Sequence, residues 1–451
     1  MCIAIVGVFL WEIYPLGVLL LIAIAIIALL VYRLEWGVYA LAATSFFHEW
    51  EIDFSQSQRF RDLPYVPSIN APVADIIAIF LFIAVILMII FHIKKIPWKQ
   101  LFIIKKGIGI YAVFLCIAAI SALFFMHNNF YAAGIKYWLR PILFTVLMYW
   151  FMVIGIIADM PHIFKRILSI WFGVGLAIAV YGVASFFVLD QSGWIRALPF
   201  SINGFAPLGY NHNQMAEALV AILPIGVWFA LSAKDILGRR LALYASILIG
   251  LIALLTLSRA AWIAIICQII ILGVYLYQLR GKRMFERRIT GSILLILVPV
   301  LLYMATFLTS SVVISSTSAR LDAVKIATFY WQQSPLFGYG PGSFIWLLSD
   351  TAFYTMEYGD PLDAHGFVQK IFVEEGLVGA VAFIAFLVWI LWFIWTAQVH
   401  KEHRELAITL FIMASGAMIF QLFNTSYFNG VMWMPLGIAT AGALLIKKED
   451  I

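Results

Sequence analysis

Runs of about 20 apolar residues recur along the chain, and they constrain the fold more than any other feature of the sequence. A helix needs roughly 20 such residues to cross the hydrocarbon core of a bilayer. Hydrophobic residues make up 64% of the chain and charged residues 12%, whereas an average soluble domain carries about 25% charged residues. This is more apolar surface than a water-facing fold can bury. The sequence therefore predicts an integral membrane protein.

We predict an all-α, polytopic fold of about 12 or 13 transmembrane helices, with residues 1–451 forming a single bundle. The sequence shows no internal repeat and no linker that would divide the chain. The candidate helices lie at residues 14–32, 36–47, 76–91, 107–126, 141–157, 167–188, 215–231, 241–257, 260–279, 293–308, 377–399, 406–422 and 431–446.

The positions of the basic residues predict the orientation of this bundle. Most of the 29 Lys and Arg residues lie in one set of short loops, which the positive-inside rule places in the cytoplasm. The net charge of +6 is therefore a topology signal with some attraction to anionic lipid, and it does not indicate nucleic-acid binding. The remaining basic residues, among them Arg196, Arg259 and Arg320, fall on the outer side.

The longest outer segment spans residues 309–376. A structureless loop of that length is improbable in a compact protein, so we predict a partly helical loop that carries function. Within it, Leu321, Val324, Thr328 and Trp331 recur at helical spacing. This spacing predicts an amphipathic helix over residues 319–332 that lies near the membrane interface.

Transport and metal chemistry find little support in the sequence. Transporters place charged groups at the membrane midplane, often on broken helices, whereas the ionisable residues here cluster at helix ends. A flippase or exporter of a lipid-linked glycan remains the alternative function, and a membrane scaffold is a third. We predict no metal site and no cofactor, because His400, Glu402 and His403 form a charged turn without zinc-motif spacing. The three cysteines lie in apolar runs.

Arg259 lies where two predicted helices meet with almost no loop between them, beside Trp262. One interpretation is an arginine that anchors at the lipid boundary or is neutralised by an outer acidic residue. The other is anion capture, because a guanidinium presents five donors in a fixed fork that suits a phosphate.

Arg320 precedes a glycine-rich segment, residues 334–344, with glycines at alternate positions 338, 340 and 342. Those glycines predict a tight backbone path that side chains would obstruct. The segment does not have the spacing of a nucleotide-binding loop. Farther along, His365 precedes Glu374 and Glu375. If the loop folds back over the bundle, His365 joins two guanidiniums, which is the arrangement that moves a group from a phosphate to a hydroxyl.

Together these motifs resemble the O-antigen ligase and polymerase superfamily over residues 200–446. The resemblance rests on residues 258–262, Arg320, residues 335–342, Ala364-His365, Glu375-Gly376 and Gly379. It implies a C-type glycosyltransferase architecture in a bacterial inner membrane, with the active site facing the periplasm or outside. The implied reaction moves a glycan from an undecaprenyl-diphosphate carrier to an acceptor hydroxyl on a glycan or lipid A-core-like molecule. It is metal-independent and inverting, as in O-antigen ligases or surface polysaccharide polymerases.

By the same resemblance, Arg259 and Arg320 hold the diphosphate and His365 activates the acceptor. Gly340 and Glu375, which belong to the matching motifs, are substrate-binding candidates. Asn213 is a weaker candidate of this kind, because its position before a predicted helix favours an ordinary N-cap over a sugar contact. Its neighbours at residues 210–212 are equally weak candidates.

Overall fold

The computed structural model describes residues 15–47, 49–53, 70–93, 102–126, 131–189, 194–280, 302–359, 366–424 and 429–449. Helices account for nearly all of this structure, and its only named strands, β1 (Glu51–Asp53) and β2 (Asn70–Pro72), pair antiparallel. The helices are α1 Pro15–Tyr32, α2 Leu34–Thr44, α3 Val73–Ile90, α4 Lys105–Phe124, α5 Tyr131–Tyr137, α6 Val153–Asp159, α7 Phe164–Val188, α8 His212–Ser232, α9 Ile236–Leu255, α10 Arg259–Arg280, α11 Ser311–Gln333, α12 Phe344–Ser349, α13 Ala352–Tyr358, α14 Phe367–Trp395, α15 Arg404–Gln421 and α16 Gly430–Lys448.

The prediction of an all-α polytopic membrane protein is confirmed. Within the described residues, nine helices are long and apolar enough to cross a bilayer, or ten if α1 and α2, bent by 112°, form one span. The span at 134–159 is continuous because two π-helical segments, Trp138–Phe144 and Val146–Met152, join α5 to α6. Most of the predicted helix at 293–308 lies outside the described residues, so the count of about 12 or 13 stays a prediction.

The last helix, α16, lies at the centre of the bundle, with 94% of its apolar window buried. It packs against α6, the second π-helical segment, α14 and α15. The next most buried is α15, followed equally by α8 and the span at 134–159, and α15 packs against α8. In contrast, only 28% of the apolar window of α3 and of α9 is buried, as expected for helices that face lipid on one side. The most apolar helix is therefore not the most buried one, because lipid also solvates apolar side chains.

The long segment predicted to be partly helical contains α11, α12 and α13. These helices bury their own small core around Ala323, Ala327, Phe344, Leu348 and Tyr354. The helix predicted over 319–332 ends where expected but begins earlier, at Ser311. Its buried face also differs from the predicted stripe, since Leu321 and Val324 are exposed while the alanines are buried. The alanines allow a close approach to neighbouring helices that the larger side chains would prevent.

A break in α14 receives the glycine-rich segment. At Gly376 the backbone leaves the helical conformation with φ +66°, close to the predicted start of the span at residue 377. The α14 carbonyls that the break leaves without helical partners accept hydrogen bonds from the segment, since the amides of Tyr339 and Gly340 donate to them at 2.9 and 2.8 Å. The Leu377 amide donates to the Pro335 carbonyl at 2.8 Å. The broken helix thus holds the loop by backbone hydrogen bonds, a feature that the sequence had not indicated.

The glycines of this segment follow the tight backbone path predicted for them, and the docking on α14 depends on it. Gly338, Gly340 and Gly342 all have positive φ. A Cβ at Gly338 would collide with the backbone carbonyls of Val373 and Glu374, and one at Gly376 would collide with Leu336. The glycine-rich segment and α14 therefore approach so closely that neither Gly338 nor Gly376 has room for a Cβ.

Candidate active site

Arg259 is the first residue of α10 and follows a tight corner after α9. Leu257 forms this corner with φ +58°, a left-handed conformation that is rare for a bulky residue. The loop before α8 stabilises this corner, because the Ala197 amide donates to the Leu255 carbonyl at 2.8 Å. The Trp262 indole also donates to the Leu254 carbonyl at 3.0 Å. The first turn of α10 contains no acidic residue, so its free amides and Arg259 both favour an anion.

A side-chain hydrogen bond ties this corner to α8. The Ser258 hydroxyl donates to Oδ1 of Asn213 at 2.7 Å. The prediction that Asn213 is an N-cap is wrong, because α8 begins at His212 and its N-cap is Asn211, which accepts from the Asn213 amide at 2.9 Å. Since the helix starts three residues earlier than predicted, the Asn213 side chain lies within its first turn and serves a tertiary contact.

The side chain of Arg259 reaches across to α11. Its guanidinium donates to the Thr317 hydroxyl at 2.6 Å and to the Ser316 hydroxyl at 3.1 Å. Within the described part of the chain it has no carboxylate partner, so the neutralised-anchor interpretation finds no support there. Neutral hydroxyls orient the guanidinium and leave its charge available to a ligand.

Arg320 follows one turn later on α11 and faces the same space. Its Nε is buried and has no hydrogen-bond partner among the described residues. Burial, and secondly the nearby charge of Arg259, lower the pKa of Arg320 to about 10. The group therefore remains protonated at neutral pH, but its charge is poorly compensated. A buried cation of this kind is stabilised when an anion binds.

The two arginines line one small cavity of about 90 Å³. The cavity is about three times the roughly 30 Å³ that a water molecule occupies in the liquid, so it has room for a small anionic group. None of the described side chains that line it is acidic. The lining residues are Arg196, His212, Asn213, Leu257, Arg259, Ala260, Phe307, Val313, Ser316, Arg320 and Phe423. Three arginines and a histidine therefore surround a space that suits an anion.

Arg196 has no predicted role, and His212 is only a weak candidate from the sequence. A signal for Arg196 was present, because it is one of the basic residues that fall on the predicted outer side. No local pattern indicates that these two side chains join Arg259. The loop before α8 brings them to the cavity, and the Ala197 hydrogen bond to the α9 corner fixes that loop.

The other predicted site residues stand apart from the cavity or outside the described chain. Gly340 and Glu375 do not line it; Gly340 donates its amide to α14, and Glu375 is buried beside the break at Gly376. Their roles in substrate binding stay predictions. His365 lies outside the described residues, directly before Gly366, which caps α14. Its role as the base also stays a prediction.

A buried carboxylate binds the chain segment that contributes Phe423 to the cavity. Glu217 lies one turn after Asn213 on α8 and accepts hydrogen bonds from the side-chain amides of Gln421 and Asn424, the latter at 3.2 Å. Those amides flank Phe423, which lines the cavity. The end of α15 is thus fixed to α8 by a polar contact that the hydropathy pattern did not predict.

Comparison with known proteins adds one match. Residues 244–384 match the family model described as O-antigen ligase. The matched segment contains both Arg259 and Arg320, whereas Arg196 and His212 precede it. No curated protein matches the chain.

Proposed function

We propose that this multi-pass membrane protein transfers a lipid-linked glycan. The premise is the match at residues 244–384, which supports the O-antigen ligase and polymerase superfamily. The family implies a glycosyltransferase-type activity on a lipid-linked glycan and an acceptor. The more specific proposal is that the donor is a glycan on undecaprenyl diphosphate and that the acceptor is a hydroxyl of a second glycan or a lipid A-core-like molecule. The observation that carries it is the pair Arg259 and Arg320 at one small cavity lined by no described acidic side chain.

The proposed chemistry follows from the charge that develops during transfer. The acceptor oxygen forms a bond to the anomeric carbon while the bond from that carbon to the diphosphate oxygen breaks. The acceptor proton passes to His365, and the diphosphate leaves with the bonding electrons. Arg259 and Arg320 stabilise that negative charge with fixed donors, which is the largest contribution that a site of this kind makes to catalysis. No metal ion is needed in this scheme, and attack opposite the leaving group inverts the anomeric centre.

The proposed orientation places the cavity on the periplasmic or outer face of a bacterial inner membrane. The support is the distribution of Lys and Arg, which are concentrated in the loops at the opposite ends of the helices. On that face a lipid-linked donor is the available source of activated sugar, since nucleotide sugars remain in the cytoplasm.

The test is glycan transfer by purified protein in liposomes that contain the undecaprenyl-diphosphate glycan. Arg259→Ala, Arg320→Ala and His365→Ala are compared with Lys325→Ala, which removes a cation from the exposed face of α11 next to Asp322. We expect each of the three variants to lose at least about a hundredfold in rate and Lys325→Ala to retain the wild-type rate. Normal transfer by the three variants overturns the mechanism.

Two further measurements test the finer parts of the proposal. Transfer in the presence of EDTA is expected to proceed at the normal rate, and its loss contradicts the metal-independent scheme. NMR of the new linkage is expected to show an inverted anomeric configuration. Movement of the donor across the bilayer without a new glycosidic bond supports the flippase alternative instead. Assays with a glycan acceptor and with a lipid A-core acceptor separate a polymerase from a ligase.

A further inference from the structure

A second cavity opens at the far end of the helix that contributes His212 to the arginine site. It lies between α7, α8 and α9 and has a volume of about 840 Å³, within the range of roughly 300–1,000 Å³ that is typical of ligand clefts. The arginine site is at the beginning of α8, and this groove is at its end, beside Ser232 and Ala233. Twenty-one residues of helix separate them by about 30 Å, so the two sites face opposite leaflets.

The interior of the groove is apolar and its mouth is polar. Phe172, Leu176, Phe229 and Leu248 are among its apolar lining residues, while Ser169, near the start of α7, and Ser232, at the end of α8, are polar lining residues. An apolar groove of this kind within the membrane is open to lipid from the side. Its composition alone does not select a lipid, because acyl chains are common to all of them.

Two exposed cations lie one helical turn beyond the residues that line the groove, on the same faces of α7 and α9. On α7, Lys165 lies one turn before Ser169, whose hydroxyl donates to the Lys165 carbonyl at 3.0 Å. On α9, Arg240 lies one turn before Tyr244. Residues four apart share a helix face, so both cations lie on the faces that line the groove. Neither has an ion-pair partner among the described residues.

Asp235, the acidic residue beside the groove at the start of α9, is already engaged. It caps α9 and accepts a hydrogen bond from the Gly238 amide at 2.6 Å. Around it, Arg166, Lys234 and Arg239 add further positive charge. The mouth of the groove therefore attracts anions while the interior accepts hydrocarbon.

We propose that this groove binds an anionic phospholipid, with the lipid phosphate between Lys165 and Arg240 and an acyl chain against Phe172 and Leu248. Basic pockets between transmembrane helices recognise anionic headgroups, and each cation near the surface contributes about a fivefold gain in affinity. The site is separate from the arginine cavity and does not depend on the proposed transfer reaction.

The experiment titrates the purified full-length protein with phosphatidylglycerol, phosphatidylcholine or undecaprenyl phosphate and follows bound lipid by native mass spectrometry. Lys165→Gln with Arg240→Gln is compared with Lys106→Gln with Lys401→Gln, which removes the same charge from exposed positions that do not line the groove. We expect wild type to retain phosphatidylglycerol over phosphatidylcholine, the groove variant to lose about 25-fold in affinity for it, and the control to retain it.

A second variant tests the apolar part of the site. Ala245→Trp places an indole in the groove without changing charge, and we expect it to release the lipid as well. Equal phosphatidylglycerol binding by the groove and control variants overturns the proposal, as does preferential binding of undecaprenyl phosphate. If Ala245→Trp does not fold, the charge variants alone decide the outcome.

Discussion

The Ser258 hydroxyl donates a 2.7 Å hydrogen bond to the side-chain oxygen of Asn213, and this bond fixes the residue directly before Arg259 to the first turn of α8. Leu257, on the other side of Ser258, has a left-handed backbone. The direction in which the Arg259 guanidinium points therefore depends on a contact between two helices. Asn213 thus positions a side chain of the proposed site.

Loss of this bond is expected to weaken transfer without unfolding the protein. We predict that Asn213→Ala and Ser258→Ala each destabilise the fold by about 1 kcal/mol and reduce transfer several-fold. The double variant should lose little more than either single one, because the same bond is removed. Thermal unfolding and transfer rates of the four proteins check this. Additive losses contradict a shared role.

Arg320→Gln is expected to separate stability from function. Because the pKa of Arg320 is lowered to about 10 in the folded protein, the unfolded chain binds this proton more tightly. The charged side chain thus opposes folding at all pH values below about 10, and the opposition fades as the pH rises from there toward the ordinary pKa of arginine. At pH 7 we predict that Arg320→Gln melts at or above the wild-type temperature while transfer is lost.

Inorganic pyrophosphate provides a direct probe of the same cavity. An anion that binds only the folded protein raises its melting temperature, so we expect pyrophosphate to stabilise wild type and the Lys325→Gln control. Arg259→Gln and Arg320→Gln should abolish this shift. A shift that persists in both variants places the anion elsewhere on the protein.

Gly338→Ala is expected to be far more harmful than Gly359→Ala. Both glycines have positive φ, at +69° and +78°, but a Cβ at Gly338 collides with α14 carbonyls whereas one at Gly359 meets open space. Gly359 has ψ −158°, a backbone region essentially confined to glycine, so the control should cost only the backbone strain of about 1–3 kcal/mol. We predict that Gly338→Ala detaches the loop and lowers both the folded yield and the melting temperature in detergent. Similar melting temperatures for the two variants count against the docking described above.

Removal of the Glu217 carboxylate should destabilise the contact between α8 and the end of α15 and lower the melting temperature. Glu217→Ala removes the acceptor of the buried Gln421 amide and of the part-buried Asn424 amide, and the buried amide left unsatisfied costs about 1–3 kcal/mol. Glu217→Gln keeps one acceptor oxygen and should be milder. Melting temperatures in the order wild type, Glu217→Gln, Glu217→Ala support this prediction, and identical temperatures contradict it.

Hydropathy predicted most of the spans, because the need for about 20 apolar residues is local to each helix. It did not predict that α16 is the most buried helix, since lipid and protein interiors select the same apolar side chains. The prediction of which face of α11 is buried was wrong for a related reason. Its large apolar residues are exposed, while the small alanines pack against the neighbouring helices.

The sequence by itself determined the helical membrane fold, the need for glycine at three alternate positions, and the candidacy of Arg259 and Arg320 among the basic residues that depart from the positive-inside rule. Each of these follows from local hydropathy, backbone sterics or charge. Only the tertiary structure decided that Arg196 and His212 join those arginines, and that Asn213 holds Ser258. Those partners are tens of residues apart along the chain, and helix packing, to which no short-range pattern is sensitive, sets the distances between them.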